Sequence, residues 1–277
     1  MQLNWLESIL YAFISGLTEF LPVSSRAHQS IMQQLFGEES NAAVLNFLIH
    51  FAVLLAVFFI SQNQLTAIRR TKKLLLIPAK RRKHQPDREV AAKIRLIRTV
   101  SIPVLIFTVF FQLANEVSSM FHIMAACLLL NGIILYATQH IRTGNKSAVH
   151  MTALDGILIG LVSGLGIIPG FSRVGLGIGI SHMRGASAKD SFDWMLLVSI
   201  PALIGLCVAD LILMFSVGIG NFTFVMLFRY LVGAFAAYLG AYVSISIMRF
   251  MAVKVGFSWF SYYCWGAALF SFILFMI

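Results

Sequence analysis

The chain has 277 residues, 59% of them hydrophobic and only 12% charged, with a net charge of +10. A soluble domain carries about 25% charged residues, so this balance and a mean hydropathy of +0.85 exclude an ordinary soluble fold and point to an integral membrane protein. Cys127, Cys207 and Cys264 all sit in apolar runs without CxxC or metal-type spacing, which reads them as packing residues.

No basic residue precedes Arg26, so the first apolar segment does not read as a cleaved signal peptide. Residues 5–36, broken at Pro22, predict a re-entrant pair of short helices instead. Broken backbone of that kind survives at membrane depth only where protein or a watery cavity satisfies it. A full span is expected at 42–61, because roughly 20 apolar residues of helix cross the ~30 Å hydrocarbon core. Residues 62–98 then hold twelve Lys/Arg and two acids, Asp87 and Glu89. A block of that charge suggests nucleic acid in a soluble chain. Flanked by spans, it reads as a cytoplasmic loop that obeys the positive-inside rule, and no nucleic-acid partner is expected.

Further spans are expected at 99–115, with Pro103, and at 118–138. Residues 153–185 form a second proline-broken, glycine-rich hairpin around Pro169, and spans at 194–216, with Pro201, at 222–248 and at 257–277 complete the chain. The fold class is therefore all-α and membrane-embedded, with six transmembrane helices and two re-entrant hairpins in a single domain. Each half, 1–138 and 153–277, reads as one hairpin followed by three spans. Three is odd, so the second half is inverted relative to the first, and binding sites in such repeats lie between broken helices near the repeat interface. A six-span channel or transporter without true repeats is the plainer alternative.

The two hairpins share a polar phrase, "PVSSR" at Pro22–Arg26 and "PGFSR" at Pro169–Arg173. Proline ends or kinks a helix, and Ser is a preferred N-cap for the next one. A helix N-terminus offers unpaired N–H groups to an anion, and an arginine beside it adds a bidentate fork for phosphate oxygens. A charge at a transmembrane helix centre costs roughly 2.5–3.5 kcal/mol on insertion scales, so Glu19, Arg26 and Arg173 are expected to face one another, a ligand or water. The bland reading is a buried ion pair that only locks the hairpins together. Ser25 and His28, three apart, are expected to share a helix face, as a hydroxyl–imidazole pair for proton transfer or nucleophilic attack. Glu19 could orient that histidine, take a proton, or hold a divalent cation. His50, His122 and His182 read as structural or interfacial; Asp210 and Arg229 pair with each other or sit at an interface; Glu116 and Asp193 mark span ends.

At "GLTEFLPVSS" (Gly16–Ser25), His28 and "PGFSR" (Pro169–Arg173), the chain resembles the undecaprenyl-diphosphate phosphatase family of bacterial inner membranes, the bacitracin-resistance type, over nearly its whole length. That resemblance implies removal of the terminal phosphate from an isoprenoid diphosphate lipid, recycling the carrier of cell-wall synthesis, at a site open to the outer face. It implies catalytic positions at Glu19, Ser25, His28 and Arg173, with Ser25 or His28 attacking or assisting. Ser24, Arg26, Ser172 and Gly170 would bind substrate, and Glu19 would hold Mg²⁺ or Ca²⁺. The departures are Ser15, where the family carries an acid or amide, Arg26-Ala27 before the histidine, and Val174-Gly175 after "SR". The competing reading is a divergent homologue that binds or translocates a phosphorylated isoprenoid without hydrolysing it; a third is a hydrolase with another head-group preference. Nucleophile, metal dependence, chain-length preference and any homo-oligomer stay open at this stage.

Overall fold

A computed structural model describes residues 3–36, 43–110, 120–141, 144–217, 223–254 and 257–276. Among them the chain is helical, with no strand; Lys146 and Ala186 pair only as an isolated bridge. The first hairpin is α1 (Trp5–Phe20) and α2 (Ser25–Phe36), followed by α3 (Ala43–Ile60), α4 (Gln62–Leu76), α5 (Arg88–Val109) and α6 (Phe121–Gln139). The second is α7 (Ala153–Gly164) and α8 (Arg173–Met183), followed by α9 (Ala188–Val217), α10 (Phe224–Lys254) and α11 (Trp259–Met276).

Among the described residues four helices are long and apolar enough to cross a membrane: Ala43–Ile60, Phe121–Gln139, Ala188–Ser216 and Phe224–Val253. Ala153–Ile167 and Trp259–Leu274 are shorter apolar helices. The expected span 99–115 is the later part of α5; its residues 111–115, with Glu116, lie outside the described residues. Residues 62–98, read as a loop, are mostly helix. Asp87 caps α5 by accepting from the N–H groups of Glu89 and Val90, so α5 starts at Arg88, well before its apolar stretch.

Both proline-containing segments form the expected helix–break–helix pairs. α1 stops at Leu21, whose extended backbone precedes Pro22. α7 runs into a 3₁₀ turn at Leu165–Ile167 before Pro169. Packing partners exchange between the halves: α1 lies on α10 and α7 on α5, α3 on α10 and α9 on α5, while α3 meets α9 and α6 meets α11. Lipid supplies no hydrophobic drive between helices, so contacts depend on close, small-residue packing. Ser8, Ala12 and Gly16 line α1 at the positions that Gly156, Gly160 and Gly164 hold on α7, counted from a shared Ser-Gly-Leu. A Cβ on Gly16 would overlap the carbonyl of Ala237 in α10, and one on Gly160 the carbonyl of Val100 in α5.

Candidate active site

The two breaks meet each other. Ser24, with φ +66°, sits in the left-handed region that few non-glycine residues adopt. Its hydroxyl accepts from Ala27 N–H at 3.3 Å, closing the start of α2, and from Gly170 N–H at 3.0 Å across the gap to the second hairpin. Ser172 caps α8 by accepting from Gly175 N–H at 3.1 Å, and its own hydroxyl donates to the carbonyl of Leu21 at 3.2 Å. Asn131 of α6, fully buried, completes the junction: its amide oxygen accepts Ser172 N–H at 3.0 Å and its NH₂ donates to the carbonyl of Pro22 at 2.9 Å.

Beside this junction lies a small, partly open recess of about 40 Å³. Glu19, Ser25, Arg26, Gln29, Ser172 and Arg173 form its polar wall, together with His50 of α3; Val104, Thr108, Phe171 and Leu206 are among the rest of the lining. Arg173 donates to Glu19 at 2.5 Å, and both side chains are about nine-tenths buried. Arg26 lies within electrostatic reach of Asp210, Glu19, Tyr11 and Arg173. The starts of α2 and α8, at Ser25 and Arg173, fall in the same wall, together with Arg26. Ser25 is near its helix start, where its hydroxyl donates to the carbonyl of Ser15 at 3.1 Å.

The expected gathering of Glu19, Ser25, Arg26, Ser172 and Arg173 is present. Ser24 and Gly170 are at the junction but outside the lining of the recess. Gly170 needs its φ of +104°, and a Cβ there would overlap Cys127. His28 is not in the recess. Its Nδ1 bonds the carbonyl of Ser24 at 2.7 Å and its Nε2 the hydroxyl of Tyr263 in α11 at 2.6 Å, with the two rings stacked. A carbonyl only accepts, so Nδ1 carries the proton and Nε2 accepts from the tyrosine. Three residues turn a helix through about 300°, which leaves Ser25 and His28 about 60° apart, room enough to line different surfaces. Ser15 is buried, its hydroxyl bonded to the carbonyl of Tyr11 at 2.6 Å.

Sequence reasoning took His50 as structural or interfacial and Asp210 as a partner of Arg229 or an interface residue, and linked neither to the recess. Nδ1 of His50 meets Asp210 at 2.6 Å, and both residues are buried. Asp210 thus pairs with His50 and not with Arg229, which lies over the ring of Tyr230 at 5.6 Å. Asn131 and Gln29 were missed too. Single polar residues in apolar helices carry no local pattern that announces a partner on another helix.

Fold and site together define a multi-pass helical membrane protein whose two broken hairpins enclose a doubly cationic, anion-compatible recess. The model of the family described as Bacitracin resistance protein BacA matches residues 8–270, and the chain belongs to that family. Among relatives, a protein of Alkaliphilus metalliredigens is 32% identical over 94% of both chains. One of Carboxydothermus hydrogenoformans is 30% identical over 95% of this chain and 94% of its own, and one of Halothermothrix orenii 28% identical over 96% of both. All three carry the name Undecaprenyl-diphosphatase.

Proposed function

We propose that this chain removes the terminal phosphate of undecaprenyl diphosphate, or of a related prenyl diphosphate, and so recycles a lipid carrier of cell-wall synthesis. The observation that carries this is the meeting of Arg26, Arg173, Ser25 and two helix starts in the wall of one partly open recess, in a chain whose relatives bear that enzyme's name. Phosphoryl transfer is catalysed mainly by positioning and electrostatic stabilisation of the phosphoryl oxygens, and these are the groups such a recess offers. Arg26 and Arg173 bind the diphosphate; Glu19 orients Arg173 by its ion pair. Ser25, which lines the recess, is the attacking hydroxyl. His28 is a positioning residue, acting through the Ser24 carbonyl and Tyr263.

A divalent cation belongs to this proposal only as a companion of the substrate. Among the described residues no three His, Cys, Asp or Glu side chains gather as a cage, and the carboxylate of Glu19 is already bonded to Arg173. Mg²⁺ ordinarily takes one or two carboxylates together with substrate phosphates, a role Glu19 fits once a diphosphate is bound. Such a cation would screen phosphate charge.

The membrane arrangement follows as part of the same proposal: six spans and two re-entrant hairpins, in inverted halves, within a bacterial inner membrane, with the recess open to the outer face. Its support is the exchange of packing partners between the halves and the shared ladder of small residues on α1 and α7.

The test is phosphate release from undecaprenyl diphosphate by purified protein in detergent, with and without Mg²⁺. Wild type should release phosphate, and Arg173→Ala should lower the rate about 100-fold or more, the scale set by losing one pre-organised donor. Ser25→Ala should lower it further. A wild type no faster than Ser25→Ala rejects the reading.

A further inference from the structure

Attack by Ser25 leaves one proton without a destination. Glu19 is occupied by Arg173, and both ring nitrogens of His28 are bonded outside the recess. His50 is the remaining group in the wall able to accept one. It stands on α3 and lines the recess together with Ser25, Arg26 and Arg173. Its Nδ1 lies 2.6 Å from Asp210 of α9. A carboxylate accepts, so Nδ1 carries a hydrogen, and in the neutral ring the lone pair is on Nε2; among the described residues Nε2 has no hydrogen-bond partner.

A buried His–Asp pair could serve merely to tie α3 to α9. Two observations argue for more. The imidazole forms part of the recess wall, where a mere tie between helices has no need to be. Asp210 also acts on Arg26, a head-group ligand, so the pair belongs to the charge cluster of the site.

Resting on the phosphatase reading, we propose that His50, oriented by Asp210, is the proton acceptor and donor of the reaction. As the Ser25 oxygen bonds to the terminal phosphorus, its proton passes to Nε2, and the bond from phosphorus to the bridging oxygen breaks. The lipid monophosphate leaves with that electron pair. Asp210 stabilises the imidazolium so formed. Water then attacks the phosphoserine, the P–O bond to Ser25 breaks, and the imidazolium returns its proton to the serine oxygen; phosphate leaves as the dihydrogen anion. A neutral imidazole is regenerated, and each cycle consumes one water.

The experiment measures kcat and KM for phosphate release by wild type, His50→Gln, His50→Ala and Asp210→Asn, each checked for a normal melting temperature. His50→Gln keeps a side chain of similar size without a titrating nitrogen, so it carries the test if His50→Ala misfolds. General acid–base catalysis contributes about 10²–10⁴-fold; kcat of His50→Gln should fall by that order with KM little changed. Asp210→Asn should fall in the same direction, and added imidazole should restore much of the rate of His50→Ala. An active wild type with an equally active His50→Gln overturns this inference and leaves the phosphatase reading standing. A loss confined to KM, or one that imidazole leaves untouched, also overturns it and returns the pair to tying α3 to α9. An inactive wild type removes the phosphatase reading, and this inference with it.

Discussion

Asn131 is a single amide on which two hairpins depend. It satisfies Ser172 N–H on one side and the Pro22 carbonyl on the other, each at an irregular stretch of backbone that no helix ladder serves. An unsatisfied buried polar group costs about 1–3 kcal/mol, and Asn131→Leu would orphan two while filling nearly the same volume. The expected outcome is a melting temperature well below wild type in detergent, with loss of phosphate release, and Asn131→Gln should not restore either. At this scale the sequence was readable only where polar residues clustered. The serines beside Pro22 and Pro169 announced themselves as caps, and both proved to bridge between hairpins as well. Asn131, and His50 with its partner 160 positions away, stand alone in apolar runs, where distant pairings leave no trace in local spacing.

Helices α1 and α10 approach closely enough that a methyl group matters. Alanine is the better helix former by about 1 kcal/mol, so Gly16→Ala should stabilise if only propensity counted. Its new Cβ would meet the backbone of Ala237, and overpacking costs about 1–3 kcal/mol. Gly16→Ala is therefore expected to lower the melting temperature and, since Glu19 lies one turn further along α1, to slow catalysis. Gly266→Ala, whose Cβ would meet nothing within 4 Å, should be neutral or slightly stabilising in the same measurement. Element breaks were legible because proline and serine mark them chemically. The helix α4 was not, since its basic residues drew attention to charge and away from its buried Thr71 face.

Contacts join several of the basic segments. Ala148 N–H donates to Glu89 of α5, and Arg95 of the same helix donates to the carbonyl of Met151. Gln64, Lys189, Asp193 and Arg249 border a common recess. Lys/Arg-rich connections lie on the cytoplasmic side, so the proposed topology puts these segments there. In a chain cleared of native cysteines, Lys83→Cys should resist a membrane-impermeant maleimide in intact spheroplasts and react in inverted vesicles. Met120→Cys, between α5 and α6, should behave oppositely. Labelling of both from one side would reject the inverted arrangement. Hydropathy made the membrane-embedded helical class readable, and the repeated proline–serine phrase made the meeting of the two breaks readable, whereas the individual bonds that join them needed three dimensions to see.

Glu19 acts as a placeholder. The Arg173 guanidinium already has a carboxylate partner, so under the proposed function an arriving phosphate competes with that carboxylate before it can settle. Free phosphate comes to that contest from dilute solution. A lipid diphosphate comes from the bilayer itself, where confinement raises its effective concentration. Under the proposed function, an internal rival of this sort disfavours stray anions and helps the spent phosphate to depart.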